Sequence, residues 1–173
     1  MTCKPFLLFP LILLAACATP IQAERPADFQ AQYHWSTGSL PPPYNYNYII
    51  TIGPEASGTI VFKADYRDGN PVNRTETFPL GESDLDALYA RLYQIGAFSK
   101  TWQQVKDIPD GGSVSELTMT AYGGVYSIPA YIDGDDQASD MHSVYGKIEA
   151  LVPQEVWDEW YVRHEQYIAE NED

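Results

Sequence analysis

The sequence predicts an α+β fold: an antiparallel sheet of four to five strands packed on one face by helices, two of them C-terminal. Three observations lead there. Segments that alternate apolar and polar residues flank a helix-period stretch, glycine-rich turns join neighbouring strand segments, and the chain closes on two amphipathic helical segments. No repeat recurs at a fixed period.

Residues 44–52 open the sheet, with Tyr44, Tyr46, Tyr48, Ile50 and Ile52 on one face and Asn45, Asn47 and Thr51 on the other. The turn cluster of residues 53–58 leads into a second strand, 59–66, with Ile60, Phe62, Ala64 and Tyr66 on one side. A weaker strand covers 74–80, and Pro79 suits it to an edge because proline donates no ladder hydrogen bond. A helix is expected over 83–95, capped by Ser83 with Asp86 three residues on. Its stripe is Leu85, Leu88, Tyr89, Leu92 and Ile95, and Gly96 stops it. A hairpin follows, 116–122 and 125–132, turning at Gly123-Gly124. Helices are expected over 139–152 and, beginning at Pro153, through Val156, Trp157, Trp160, Tyr161 and Ile168.

The chain divides into a leader (1–16), a tether (17–40) and one domain (41–173). Pro20 and Pro26 interrupt the tether, and Pro41-Pro42-Pro43 is a stiff extended entry to the domain. Tyr33, His34 and Trp35 leave an alternative open, since aromatic residues seldom stand in free linkers and these three also read as a first short strand. With 45% hydrophobic residues, the roughly 130 residues after the tether suffice for a buried core. The formal charge is −14, and loss of Lys4 with the leader takes it to about −15. Such a surface repels phosphate backbones and anionic headgroups, so nucleic acid is not an expected partner and no basic patch holds the chain to a membrane.

Lys4 precedes an apolar stretch from Phe6 to Ala16, too short to span a bilayer but the length of a signal-peptide core. It runs into Leu14-Ala15-Ala16-Cys17. These four residues resemble the lipobox of bacterial lipoproteins: an aliphatic residue, two small residues and the cysteine that becomes the mature N-terminus. The resemblance implies diacylglycerol on the Cys17 thiol, an acyl chain on its amine and no other cofactor. It also implies anchoring in the cell envelope, at the outer membrane facing the periplasm in a two-membrane host, because Ala18 stands where an inner-membrane retention aspartate would. An ordinary cut after Ala18, following Ala16-Cys17-Ala18, is the competing reading. Cysteine usage favours the lipid: Cys3 leaves with the leader, and exported proteins seldom keep one unpaired thiol.

The domain's opening PPPYNYNYIITI, with the later LYARLYQIGAF, resembles small bacterial envelope proteins without an established activity. That likeness implies no mechanism.

No nucleophile motif appears: there is no G-x-S-x-G, and no cysteine remains for a Cys–His pair. His164-Glu165-Gln166-Tyr167-Ile168 begins like a zinc-protease helix but has Ile168 in place of the second histidine. His34, His142 and His164 share no paired spacing. The acidic loop of residues 133–140 offers Asp133, Asp135 and Asp136 as oxygen ligands for Ca²⁺, although Ala138 and Val144 stand where the EF-hand pattern needs glycine and glutamate. The competing reading makes these aspartates a polar turn, with Asp140 favouring the next helix's N-terminus. Residues 65–70 and 107–112 read as turns. Tyr44, Tyr46, Tyr48 and Trp102 are the candidate binding surface, against the alternative that the strand tyrosines are simply core. The expectation is a lipid-anchored, non-enzymatic binding module whose partner is another envelope protein. Its alternative is a hydrolase or small-ligand or carbohydrate-binding domain sited around residues 100–114 and the acidic loop.

Overall fold

The computed structural model describes residues 22–64 and 72–172. Leu14, Ala15, Ala16, Cys17, Ala18 and the turn at residues 65–70 lie outside them. The elements are β1 (Gln30–Ser36), β2 (Tyr46–Ile52), β3 (Ser57–Ala64), β4 (Arg74–Pro79), α1 (Glu82–Gln94), β5 (Val114–Ala121), β6 (Gly124–Ile128), α2 (Asp135–Glu149) and α3 (Gln154–Asn171).

The fold is α+β, with an antiparallel sheet and two C-terminal helices, but the sheet has six strands rather than four to five. The added strand is β1. The order is β4-β3-β2-β1-β5-β6, so β1 lies inside the sheet, pairing Tyr33 with Ile50 of β2 on one side and with Leu117 of β5 on the other. The domain therefore begins well before residue 41. Phe29 is fully buried, and the Arg25 guanidinium pairs with Glu82 and with Asp86 (2.6 Å) on α1.

Alternation sets the two faces of the sheet. Tyr33, Tyr48, Ile50, Ile60, Phe62, Leu117, Met119 and Ile128 join the buried residues of all three helices in one core. On the opposite face a row of Ser127, Thr118, Gln32, Thr51, Thr59 and Thr77 crosses all six strands in register. This one-sided burial is what makes the strands legible as alternating sequence. At the β3–β4 edge Phe78 lies over Gly58, where a Cβ atom would come within 2.3 Å of its ring. Glycine is the residue that lets the ring lie flat there.

Local details depart from expectation for physical reasons. Ser83 does not cap α1. The helix begins one residue earlier, and the Asp84 carboxylate accepts the Gly81 N–H at 3.2 Å. Asp86 is drawn instead to Arg25. Gly96 does end α1, at φ +77°, with its own N–H donating to Tyr93 and that of Ala97 to Leu92, the paired bonds of a Schellman stop. The hairpin turns at Tyr122-Gly123 rather than Gly123-Gly124, because Ala121 pairs with Gly124. Both turn residues have positive φ, +52° and +73°. Asp28 secures the unusual tyrosine conformation by accepting the Tyr122 N–H (2.9 Å) and the Gly123 N–H (2.6 Å). α2 starts at Asp135, four residues ahead of expectation, since carboxylates in a first turn are favoured by the helix dipole.

A chain beginning at residue 41 loses β1 and is expected to show no cooperative thermal transition by circular dichroism. One beginning at residue 22 should melt within a few degrees of the full-length protein. A sharp transition in the shorter chain would refute the central placement of β1.

Candidate functional site

α2 brings Ala138, Met141, His142 and Tyr145 to one cleft along successive turns, with Glu149 one turn further on. Opposite them, β5 begins with Ser113 just outside the strand and Ser115 inside it. The third wall is the segment after β6. There Tyr131 adopts φ +55°, rare for a bulky side chain and therefore held by its surroundings. What holds it is the loop after α1: the Val105 N–H donates to the Tyr131 carbonyl and the Asp133 N–H to the Gln103 carbonyl, each at 2.8 Å, and Gln104 bridges Ile132. The two loops singled out in the sequence, 100–114 and 133–140, thus meet at one place.

Between these walls lies a cleft of about 230 Å³, lined by Ser115, Tyr131, Ile132, Met141, His142 and Tyr145 among others. Its lining mixes apolar residues (Ile132, Met141) with polar ones (Ser115, His142). The Tyr145 hydroxyl is buried without a hydrogen-bond partner among the described residues, which leaves a donor unspent in the cleft. Burial pushes its ionisation well above the ordinary tyrosine range, so it stays protonated. The His142 Nδ1–H donates to the Ala138 carbonyl (2.8 Å), which fixes the tautomer and leaves Nε2 as an acceptor.

A network runs inward from the cleft. Tyr33 stacks on Tyr145, with ring centroids 4.8 Å apart, and its hydroxyl lies 3.3 Å from Ser115 Oγ. The same hydroxyl donates to Glu149 Oε1 at 3.0 Å, and Tyr48 donates to that oxygen at 2.7 Å. Burial raises the ionisation of both phenols far above their ordinary value, so each remains a donor to the carboxylate.

The residues chosen from sequence scatter across the fold. Tyr48 is buried, Tyr46 packs half-buried among Trp35, Trp160 and His164, and Tyr44 is exposed and donates to Glu172 (2.6 Å). These tyrosines therefore do not make one exposed surface. Trp102 packs against the core edge with Lys100 5.7 Å from its ring. Asp133 precedes α2 and Asp135 and Asp136 occupy its first turn, all exposed, while Asp140 pairs with Arg91 at 2.8 Å. Among the described residues no three histidine, cysteine or acidic side chains gather as a metal site. His34 bonds Glu116 (2.9 Å) on the open face of the sheet.

His164 is buried at 7% exposure, its ring stacked on Trp160 (12° between planes), and its Nε2 has no hydrogen-bond partner among the described residues. Sequence reasoning passed over Ser115, Glu149 and Tyr145 as site residues. Two of them had a signal: Tyr145 carries a polar tip on an apolar helical stripe, and Glu149 extends that stripe by one turn.

Comparison with known proteins finds no matching family model and no matching curated relative.

Two substitutions test the burial of these groups. Tyr145→Phe removes an unsatisfied hydroxyl and should raise the unliganded protein's stability by about 1 kcal/mol, read from urea unfolding. A loss of stability would mean the hydroxyl has a partner. Burial also lowers the His164 pKa below its ordinary 6.5. The unfolded chain then takes up a proton that the folded one refuses, so this residue's contribution is complete above pH 6.5 and declines as pH falls below it. The stability difference between wild type and His164→Phe should therefore shift in favour of the phenylalanine variant between pH 7.5 and 5.5. A pH-independent difference would refute a depressed pKa.

Proposed function

We propose that this protein is a lipid-anchored component of a bacterial cell envelope whose domain binds a small ligand in the cleft between α2 and β5 and does not turn it over. The anchor rests on Leu14-Ala15-Ala16-Cys17, with diacylglycerol and an acyl chain on Cys17, and Ala18 favours the outer membrane of a two-membrane host.

The single observation that carries the binding reading is the Tyr145 hydroxyl, buried without a partner among the described residues in a cleft that also offers Ser115 and the His142 imidazole. A buried donor left open is costly unless something occupies it, and a few polar groups among apolar ones make the usual composition of a small-molecule site. Binding is favoured over catalysis by what Ser115 touches. Its Oγ neighbours the Tyr33 phenol, whose hydroxyl donates to Glu149, and among the described residues no histidine or carboxylate lies within hydrogen-bond distance of that Oγ. A protein partner gripped by a tyrosine face is the weaker reading, because Tyr48 is in the core and Tyr46 is half enclosed.

Cells fed an alkynyl fatty acid are expected to label the wild-type protein and leave Cys17→Ser unlabelled; an unlabelled wild type would move the cut to Ala18 and sink the anchor. For the cleft, thermal-shift titration with sugars, amino acids and cell-wall fragments should yield ligands that raise the wild-type melting temperature and lose that effect in Tyr145→Phe. Ligands that act equally on both proteins would place binding elsewhere.

A further inference from the structure

Beyond the cleft, a second pocket of about 300 Å³ opens on the far side of the Tyr33 hydroxyl, lined by Tyr48, Glu149, Ala150, Gln154, Trp157 and Tyr161. Its construction is unlike that of the cleft. Trp157 and Tyr161 stand one helical turn apart on α3 with rings nearly parallel (22°, centroids 6.2 Å apart). Tyr48 meets Trp157 almost at a right angle (80°, 5.0 Å). The three rings pack against one another at the pocket's edge, and Trp157 also meets Phe62 (78°, 5.5 Å).

A single carboxylate completes the space. Both phenol donors use Oε1 of Glu149, and among the described residues no bond to Oε2 accompanies them. Nor, among the described residues, does a salt bridge pair Glu149 with a cation. The arginine salt bridges among the described residues go to Glu82, Asp86, Glu76, Glu159 and Asp140. Trp157 spends its indole N–H on the Glu149 backbone carbonyl (3.4 Å), which anchors the ring and leaves its π faces to pack or to bind.

We propose that the pocket formed by Glu149, Tyr48, Trp157 and Tyr161 binds a small organic cation of the quaternary ammonium class. Such an ion is too weakly hydrated and too bulky to need directed hydrogen bonds. It is held by aromatic rings and an opposing negative charge, and this pocket is lined by three aromatic residues and one carboxylate. A chain of net charge −14 raises the local concentration of cations and repels anionic competitors. The site shares no lining residue with the cleft, so either can fail alone.

The test uses choline chloride, titrated calorimetrically into the full-length protein, against 3,3-dimethylbutan-1-ol, its uncharged isostere. Saturable choline binding is expected, with the isostere at least about ten-fold weaker. Glu149→Gln should weaken choline at least about ten-fold, while its amide oxygen still accepts from a phenol and its urea midpoint confirms folding. Tyr161→Ala, at a half-exposed position, should weaken choline several-fold without disturbing the core. Flotation of the Cys17→Ser chain, which has no acyl chains of its own, distinguishes the source of the cation. Capture by phosphatidylcholine vesicles but not phosphatidylglycerol vesicles identifies a lipid headgroup, and choline binding without capture identifies a free ligand. Absence of choline binding, an isostere that binds equally well, or a folded Glu149→Gln with unchanged affinity would each overturn the proposal.

Discussion

The structure depends on one strand inserted between two others. Without β1 the sheet is a three-stranded meander and a separate hairpin, each with an unpaired inner edge, and an isolated hairpin is marginal in water. β1 joins them through two full antiparallel ladders, the first to β2 nearby in sequence and the second to β5 some 80 residues on. Tyr33 shows how much rests on it. Its backbone sits opposite Ile50 and Leu117, its ring stacks on Tyr145, and its hydroxyl reaches Ser115 and Glu149. The strand that closes the sheet also positions the polar network at the helices.

The same insertion explains where the sequence was transparent and where it was opaque. β2, β3 and β4 follow one another through short loops, bury one face and expose the other, so their alternation could be read directly. The stripe of α1 was equally plain, and Leu85, Leu88, Tyr89 and Leu92 are all buried. β1 alternates just as well, with Gln30, Gln32 and His34 against Ala31, Tyr33 and Trp35. Its identity was masked by position, next to the leader and among prolines, and by partners that no local turn announces. The hairpin was recognised but misplaced by one residue, because Tyr122 takes the positive φ angle only with Asp28, nearly a hundred residues away, receiving its N–H. The acidic start of α2 was read as loop because aspartates favour turns, whereas the helix N-terminus favours them more.

The candidate site was less legible than the fold. Its geography was partly foreseen, since residues 100–114 and 133–140 do come together. Its chemistry was not, because Ser115, Tyr33, Glu149 and Tyr145 come from three separate elements with no motif spacing. The tyrosines of β2 were conspicuous for a reason unrelated to exposure. Tyr48 faces Phe62 and Trp157, and Tyr46 faces Trp160 and His164, so an aromatic strand meets an aromatic helix in the core. Dense aromatic composition on a buried strand reports this packing first, and only the groups that reach a pocket remain for binding.

The early start of the fold also changes what a lipid on Cys17 would do. A tether reaching to residue 40 would have let the domain range roughly 80 Å from the bilayer. Yet the backbone is already engaged at Gln22, whose carbonyl accepts the Tyr89 hydroxyl at 2.6 Å, and at Glu24, whose carbonyl accepts that of Tyr122 at 2.7 Å. Only five peptide units separate Cys17 from Gln22, which span at most about 18 Å when fully extended. Were Cys17 lipidated, a domain of this charge would stand within about two Debye lengths of the headgroups at physiological salt, where screening leaves only weak repulsion. The faces around Gln22, including Glu82 and Asp86, are partly neutralised there by Arg25. On the proposed anchor, the segment that would set the distance to the membrane is the one that leads into the strand on which the sheet depends.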